Sequence, residues 1–173
     1  MIDTFVLIVT NHEDVTTDFI VLELVNRDIP FFRLNTECVT QSTIRYFPDK
    51  GVDSFVFDLN GQTVCLADVT SAYYRRPGIP IPAKEVEVEA YRDYCEAEWL
   101  SALKGIYSFL GDKWLNAPFA VEAAENKPLQ LAIAKRIGFL VPDTCITNDP
   151  KVIRDFRTLG PMIAKRLLVV SSG

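Results

Sequence analysis

Two features of this 173-residue sequence suit an anion: a lysine at a helix entrance and two arginines at a strand exit. The lysine is Lys127, in Asn126-Lys127-Pro128. A proline ring disfavours helix at the residue before it and fits best in a first helical turn. The triplet therefore predicts a broken helix, with Asn126 capping a new one and Lys127 in its first turn. Leu129, Ile133 and Ile137 form one stripe of that helix, which Gly138 ends. A cation there opposes the helix dipole. An anion bound at the same place would justify it, since free backbone N–H groups at a helix start favour phosphate. The alternative is a solvated lysine on a surface helix. The arginines are Arg75 and Arg76, where a strand over 69–74 ends. Strand ends carry ligand sites in α/β proteins, and guanidinium groups bind carboxylate or phosphate bidentately. Solvation, or stacking on Tyr73 or Tyr74, is the competing role.

Other chemistries find little support. The single histidine, His12, rules out His-based metal clusters. Without a G-x-S-x-G motif, a capping or loop role is expected for it. Cys38, Cys65, Cys95 and Cys145 are far apart with no C-x-x-C pair, which argues against zinc and against a disulfide scaffold. The thiols are expected as small core residues in a reducing, cytoplasmic setting. A net charge of −5 and no basic cluster larger than Arg75-Arg76 set nucleic acid aside. No apolar run approaches the roughly 18 residues of a membrane span, and residues 1–9 lack the marks of a secretory signal.

The elements that must position these residues form an α/β pattern. Phe5 to Val9 is a continuous apolar run, as a strand buried on both faces requires. Asp14 caps a helix over 15–27 with apolar positions Val15, Phe19, Leu22, Ile20 and Leu24, and a strand over 30–34 completes a crossover unit. The first turn has no glycine, so a dinucleotide-binding loop is absent. Strands are expected over 43–47, 54–59 and 62–66, with Asn60-Gly61 as a hairpin turn, giving a mixed sheet. A long helix is expected over 83–110; its acid-rich first half, Glu85 to Glu98, reads as a solvated face. A short strand is expected from Lys113, a second before Thr147, a short helix after Asp149-Pro150, and a third strand over 162–165. The domain boundary is expected near 111–116.

The string AENKPLQLAIAKRIGFLVPDTCITND resembles the entry to an ATP-grasp domain. There an N/D-K pair opens a helix followed by G-hydrophobic-x-x-P-x-T, and a strand ending in lysine comes a few tens of residues later. VLIVTNHEDVTTDFIVLEL, FFRLNTE and YYRRPGIP are similar to the opening domain of the microviridin-type (graspetide) peptide ligases of that superfamily. The resemblance implies a pre-ATP-grasp domain over 1–112, a mixed and mainly parallel sheet with flanking helices, followed over 113–173 by the first part of an ATP-grasp domain. It implies that Lys127 and Lys165 contact ATP phosphates and that Arg75 and Arg76 serve substrate or a domain interface. Magnesium accompanies the ATP, its ligands expected beyond the end of this chain; no catalytic residue is assigned.

The activity so implied is carboxylate activation. ATP phosphorylates an Asp or Glu side chain of a ribosomal precursor peptide, and a hydroxyl or amine of the same peptide attacks the acyl phosphate to form an ester or amide cross-link. The partners expected are that peptide and a second copy of the chain, with neither nucleic acid nor membrane; the chain alone is expected to lack turnover. Arg166 follows Lys165 where the family commonly has proline. The competing functions are an ATP-grasp ligase for a small amino-acid-like substrate and a non-catalytic α/β binding module.

Overall fold

The computed structural model describes residues 4–51, 55–59, 61–165 and 167. The chain divides into two compact units, Met1–Pro118 and Phe119–Gly173.

The first unit is built on β1 (Phe5–Thr10), whose side chains are buried at all positions but Val6. That follows from its place between two parallel neighbours, β2 (Phe31–Asn35) and β6 (Val69–Tyr74), in the order β2-β1-β6. Helix α1 (Val15–Asn26) joins β1 to β2 and is capped by the Asp14 side chain, which accepts from the Thr16 N–H at 3.1 Å. The apolar positions of α1 divide between solvent and core. Val15, Phe19 and Leu22 are exposed; the side turned inward carries buried Thr17 with half-buried Ile20, Val21 and Leu24. A polar cluster sets this rotation. The Thr17 hydroxyl donates to Asp14 Oδ2 (3.2 Å) and lies 3.3 Å from the Thr10 hydroxyl, so residue 17 must face the end of β1.

The middle of the unit is a separate antiparallel sheet, β3 (Thr43–Arg45), β4 (Val56–Leu59) and β5 (Gln62–Cys65), in the order β3-β4-β5. The single mixed sheet expected from the sequence is thus two sheets. Short 3₁₀ turns over Thr36–Gln41 and Leu66–Asp68 redirect the chain on entering and leaving the antiparallel part, which closes its own ladder. The β4–β5 hairpin is as expected, with Gly61 at φ +76°; Asn60 lies outside the described residues.

Helix α2 runs over Glu89–Leu110, six residues shorter at its start than expected. The segment before it is held as a strap instead: the Arg92 guanidinium donates to the carbonyls of Pro82, Ala83 and Val86, competing with helix for those residues. Only the second half of α2 enters the core, through Leu103, Ile106, Tyr107 and Leu110. Tyr74, Tyr107 and Trp114 pack edge to face with centroids 5.4–6.1 Å apart. The Trp114 indole donates to the Tyr107 carbonyl at 2.9 Å. Trp114 was expected to open a strand of the next domain; it makes a single bridge to Ala72 and sits in the first unit's core.

The second unit contains α3 (Pro118–Ala124, its first residue at the division), α4 (Lys127–Arg136) and α5 (Pro150–Arg157). The helix break, the Asn126 cap and the Asp149-Pro150 start are as expected: Asn126 Oδ1 accepts from the Leu129 N–H at 3.0 Å and Asp149 Oδ1 from the Lys151 N–H at 2.8 Å. The strands expected before Thr147 and over 162–165 do not form. A strand needs a ladder partner, and no segment of this unit supplies one among the described residues. No described residue after Pro118 is fully buried. The cysteines are not core residues either: three are half-buried and Cys145 is exposed.

Core membership separates two adjacent side chains. Trp114→Ala removes a buried aromatic with its hydrogen bond and costs about 3–5 kcal/mol. Leu115, 80% exposed, changes stability on truncation by no more than about 0.5 kcal/mol. Urea unfolding of both variants checks this; equal losses would contradict the assigned core.

Candidate functional site

The parallel sheet gathers charged and polar groups at the carboxyl ends of its strands, where open α/β sheets place ligand sites. The register explains which residues meet. Thr10 of β1 pairs with Asn35 of β2, so two residues further along, His12 comes beside Glu37. Glu37 Oε1 lies 2.7 Å from His12 Nδ1 and accepts from the His12 backbone N–H at 2.8 Å. The Glu37 side chain is 10% exposed and the His12 side chain 67%. Glu37 Oε2 is buried and has no hydrogen-bond partner among the described residues.

The segment after β6 crosses these strand ends and is tied down along its length. The Asn11 side chain donates to the Arg76 carbonyl (2.6 Å), Thr36 to the Gly78 carbonyl (2.7 Å) and Thr40 to the Ile81 carbonyl (2.6 Å). At Gly78 an added Cβ would stand 2.8 Å from Glu37 Oε2, so this position has no room for a side chain. Arg76 adopts φ +44°, which is uncommon for a residue with a side chain.

The structure separates the two arginines. Arg75 is turned inward: its Nε lies 3.0 Å from Asp14 Oδ2, and its terminal nitrogen donates to the Thr16 hydroxyl at 3.2 Å. Burial pushes the Asp14 carboxyl up. The Arg75 charge and hydrogen bonds from Thr17, Arg75 and the Thr16 N–H outweigh this and hold it below the usual carboxylate range. Arg76 is exposed, and its guanidinium meets no acid among the described residues. Sequence reasoning found Asp14 as a cap but missed it as a counter-ion, and missed Glu37 altogether; the shared β1–β2 register was the signal for Glu37.

In the second unit, Lys127 is the first residue of α4 and its Nζ donates to the Leu167 carbonyl at 2.6 Å. Lys165 is exposed two residues before that carbonyl, within about 8 Å along the backbone. The Lys127 ammonium thus meets the chain two residues beyond Lys165. The backbone at this helix start is not an anion nest. Pro128 has no N–H, and the Leu129 and Gln130 N–H groups are taken by Asn126. A phosphate here would be held by the ammonium groups. Two such cations fit part of a polyphosphate. Among the described residues no group of three His, Cys, Asp or Glu could hold a metal ion. No helix among them is long and apolar enough to cross a membrane.

No family model and no curated protein matches the chain. Solved structures do. The macrocyclase MdnB from Microcystis aeruginosa MRC is 28% identical, with a TM-score of 0.79 over 90% of this chain and 51% of that one. MdnC from the same organism, bound with precursor peptide MdnA, is 23% identical with a TM-score of 0.81, again over 90% and 51%. A Chryseobacterium gregarium RiPP-associated ATP-grasp ligase, in complex with ADP and a leader and core peptide, is 23% identical with a TM-score of 0.70 over 90% and 48%. This chain therefore shares the α/β fold, with parallel and antiparallel sheets and flanking helices, of part of these proteins. It spans about half their length.

The Asp14–Arg75 ion pair gives a pH test. An Asp14 carboxyl held low contributes stability that is present above the unfolded value of about 3.9 and lost as pH falls through the lower folded value. Asp14→Asn keeps a capping oxygen and removes the charge. With Arg75 about one-third exposed, the variant should cost about 1–2 kcal/mol at pH 7. Urea midpoints of the two proteins should converge as pH falls through the lowered folded value; a gap independent of pH would show that the charge is not the cause.

Proposed function

We propose that this chain is the N-terminal part of an ATP-dependent carboxylate ligase acting on a ribosomally made peptide. The observation that carries the reading is its likeness to the macrocyclase MdnB, at 28% identity over 90% of the chain. In this reading residues 1–112 are the pre-ATP-grasp domain and 113–173 begin the ATP-grasp domain. Lys127 and Lys165 are compact cations on flexible stems that follow the phosphates of ATP as they move. The γ-phosphoryl passes to an Asp or Glu carboxylate, giving an acyl phosphate and ADP. A Ser, Thr or Lys side chain of the same peptide then forms the ester or amide as phosphate departs. Magnesium would add charge neutralisation; no residue described here is assigned to it. Arg76 faces a carboxylate of the substrate or a domain interface, whereas Arg75 supports the loop that presents it. Ring closure belongs to the larger polypeptide, and the exposed apolar residues of the second unit are surface that the remainder of such a ligase covers.

Nucleotide titration of the 173-residue chain tests the reading. Saturable ATP binding should weaken about tenfold, about 1.4 kcal/mol, in both Lys127→Ala and Lys165→Ala, with a smaller loss in Arg76→Ala. Binding untouched by either lysine variant would overturn the assignment and favour a non-catalytic module. A ligase for small amino-acid-like substrates would instead bind ATP through both lysines while showing no affinity for a peptide rich in Asp, Glu, Ser, Thr and Lys.

A further inference from the structure

The His12–Glu37 pair at the carboxyl ends of β1 and β2 has no part in holding the nucleotide. Its geometry is that of a base and its orienting group. Glu37 Oε1 receives both the His12 backbone N–H and the ring Nδ1, which fixes the imidazole in position and direction. A carboxylate only accepts, so Nδ1 carries the hydrogen and Nε2 presents a lone pair. The ring is largely exposed while its partner is nine-tenths buried. Glu37 Oε2, buried against Gly78, has no donor among the described residues, so the hydrogen bonds this carboxylate accepts there both come from His12.

Among the described residues, the neighbouring hydroxyls and thiol are not poised as nucleophiles for this base. The hydroxyls of Thr10, Thr17 and Thr36 are engaged in hydrogen bonds. The Cys38 thiol is pushed up by burial and by the Glu37 charge, away from thiolate. The group that loses its proton must arrive with a ligand.

We propose that His12 and Glu37 form a proton-transfer site: Glu37 holds the ring with Nδ1 protonated, and Nε2 accepts the proton of a side-chain hydroxyl or neutral amine on an entering peptide. The peptide comes from the ligase reading, on which this inference rests. As the oxygen or nitrogen attacks the carbonyl carbon of an acyl phosphate, a C–O or C–N bond forms and the bond between that carbon and the bridging phosphate oxygen breaks. Phosphate leaves with the electron pair, and the proton of the attacking atom passes to Nε2. Glu37 stays ionised against the imidazolium, and no oxidant or reductant is involved. The exposed Arg76 gives the same edge a cation for an acidic neighbour in that peptide.

Because His12 is the only histidine, its ring resonances report on this site alone. In the nitrogen-15 spectrum of the full chain at neutral pH, the neutral ring should be the Nδ1–H tautomer. Glu37→Ala should return it to the mixture of a free histidine. A peptide bearing Ser, Thr and Lys should shift the ring signals saturably, and about tenfold more tightly than the same peptide with alanine at those positions. An Nε2–H tautomer in the wild-type chain, or equal response to both peptides, overturns the proposal, and neither result depends on the variant folding. If nucleotide binding ignores both lysines while the peptide response stands, the ligase reading fails and the site does not. The reverse pattern removes the site and leaves the ligase.

Discussion

The ion pair between buried Asp14 and half-buried Arg75 is the interaction on which the carboxyl edge of this sheet depends. Asp14 caps α1, accepts from Thr17 and neutralises Arg75 at once. One carboxylate thereby fixes the start of the helix, its rotation and the exit of β6. Taking a carboxylate out of water is costly unless charge and hydrogen bonds replace the lost solvation, and here both do. The cost falls on removing one partner, so the loop after β6 cannot leave the strand ends without exposing an unbalanced charge. Arg76 inherits its place from that restraint: with Arg75 turned inward, the next residue is driven to positive φ and outward.

Local chemistry was legible in the sequence, and pairing over distance was not. The Asp14, Asn126 and Asp149 caps, the glycine turn of the β4–β5 hairpin and the two-sided burial of β1 each depend on a few adjacent residues. They appear where expected. The rotation of α1 was not legible, because its apolar residues are spread around the helix and the pattern names no inner face. Thr17 decided the matter through a hydrogen bond. The strands expected after α4 have the right residues but no neighbour to complete a ladder, and propensity alone does not make a strand.

The candidate sites differ in the same way. Lys127 was found because proline and asparagine mark its position, and its closeness to the Lys165 segment rests on one hydrogen bond to Leu167. Glu37 lies 25 residues from His12, and nothing in the local sequence joins them. What joins them is the parallel register, in which equal steps beyond Thr10 and Asn35 reach both residues. Once strand pairing is known, such a pair can be read by counting. Without it, a glutamate in a 3₁₀ turn looks like any surface acid.

The two units also treat their cations differently. Residues 1–118 hold 10 of the 18 lysines and arginines and 18 of the 23 acids, a net charge of −8; residues 119–173 carry +3. Every ion pair among the described residues lies in the first unit. There, acids outnumber cations and hold arginines in fixed directions, which suits a surface that orients neutral or acidic side chains. In the second unit, the described lysines and arginines have no acid partners among the described residues. An unpaired cation keeps its charge for an incoming anion, whereas a paired one must first give up its partner. The excess of cations in the second unit therefore favours anions at its surface, while the acids of the first unit set the direction of its arginines.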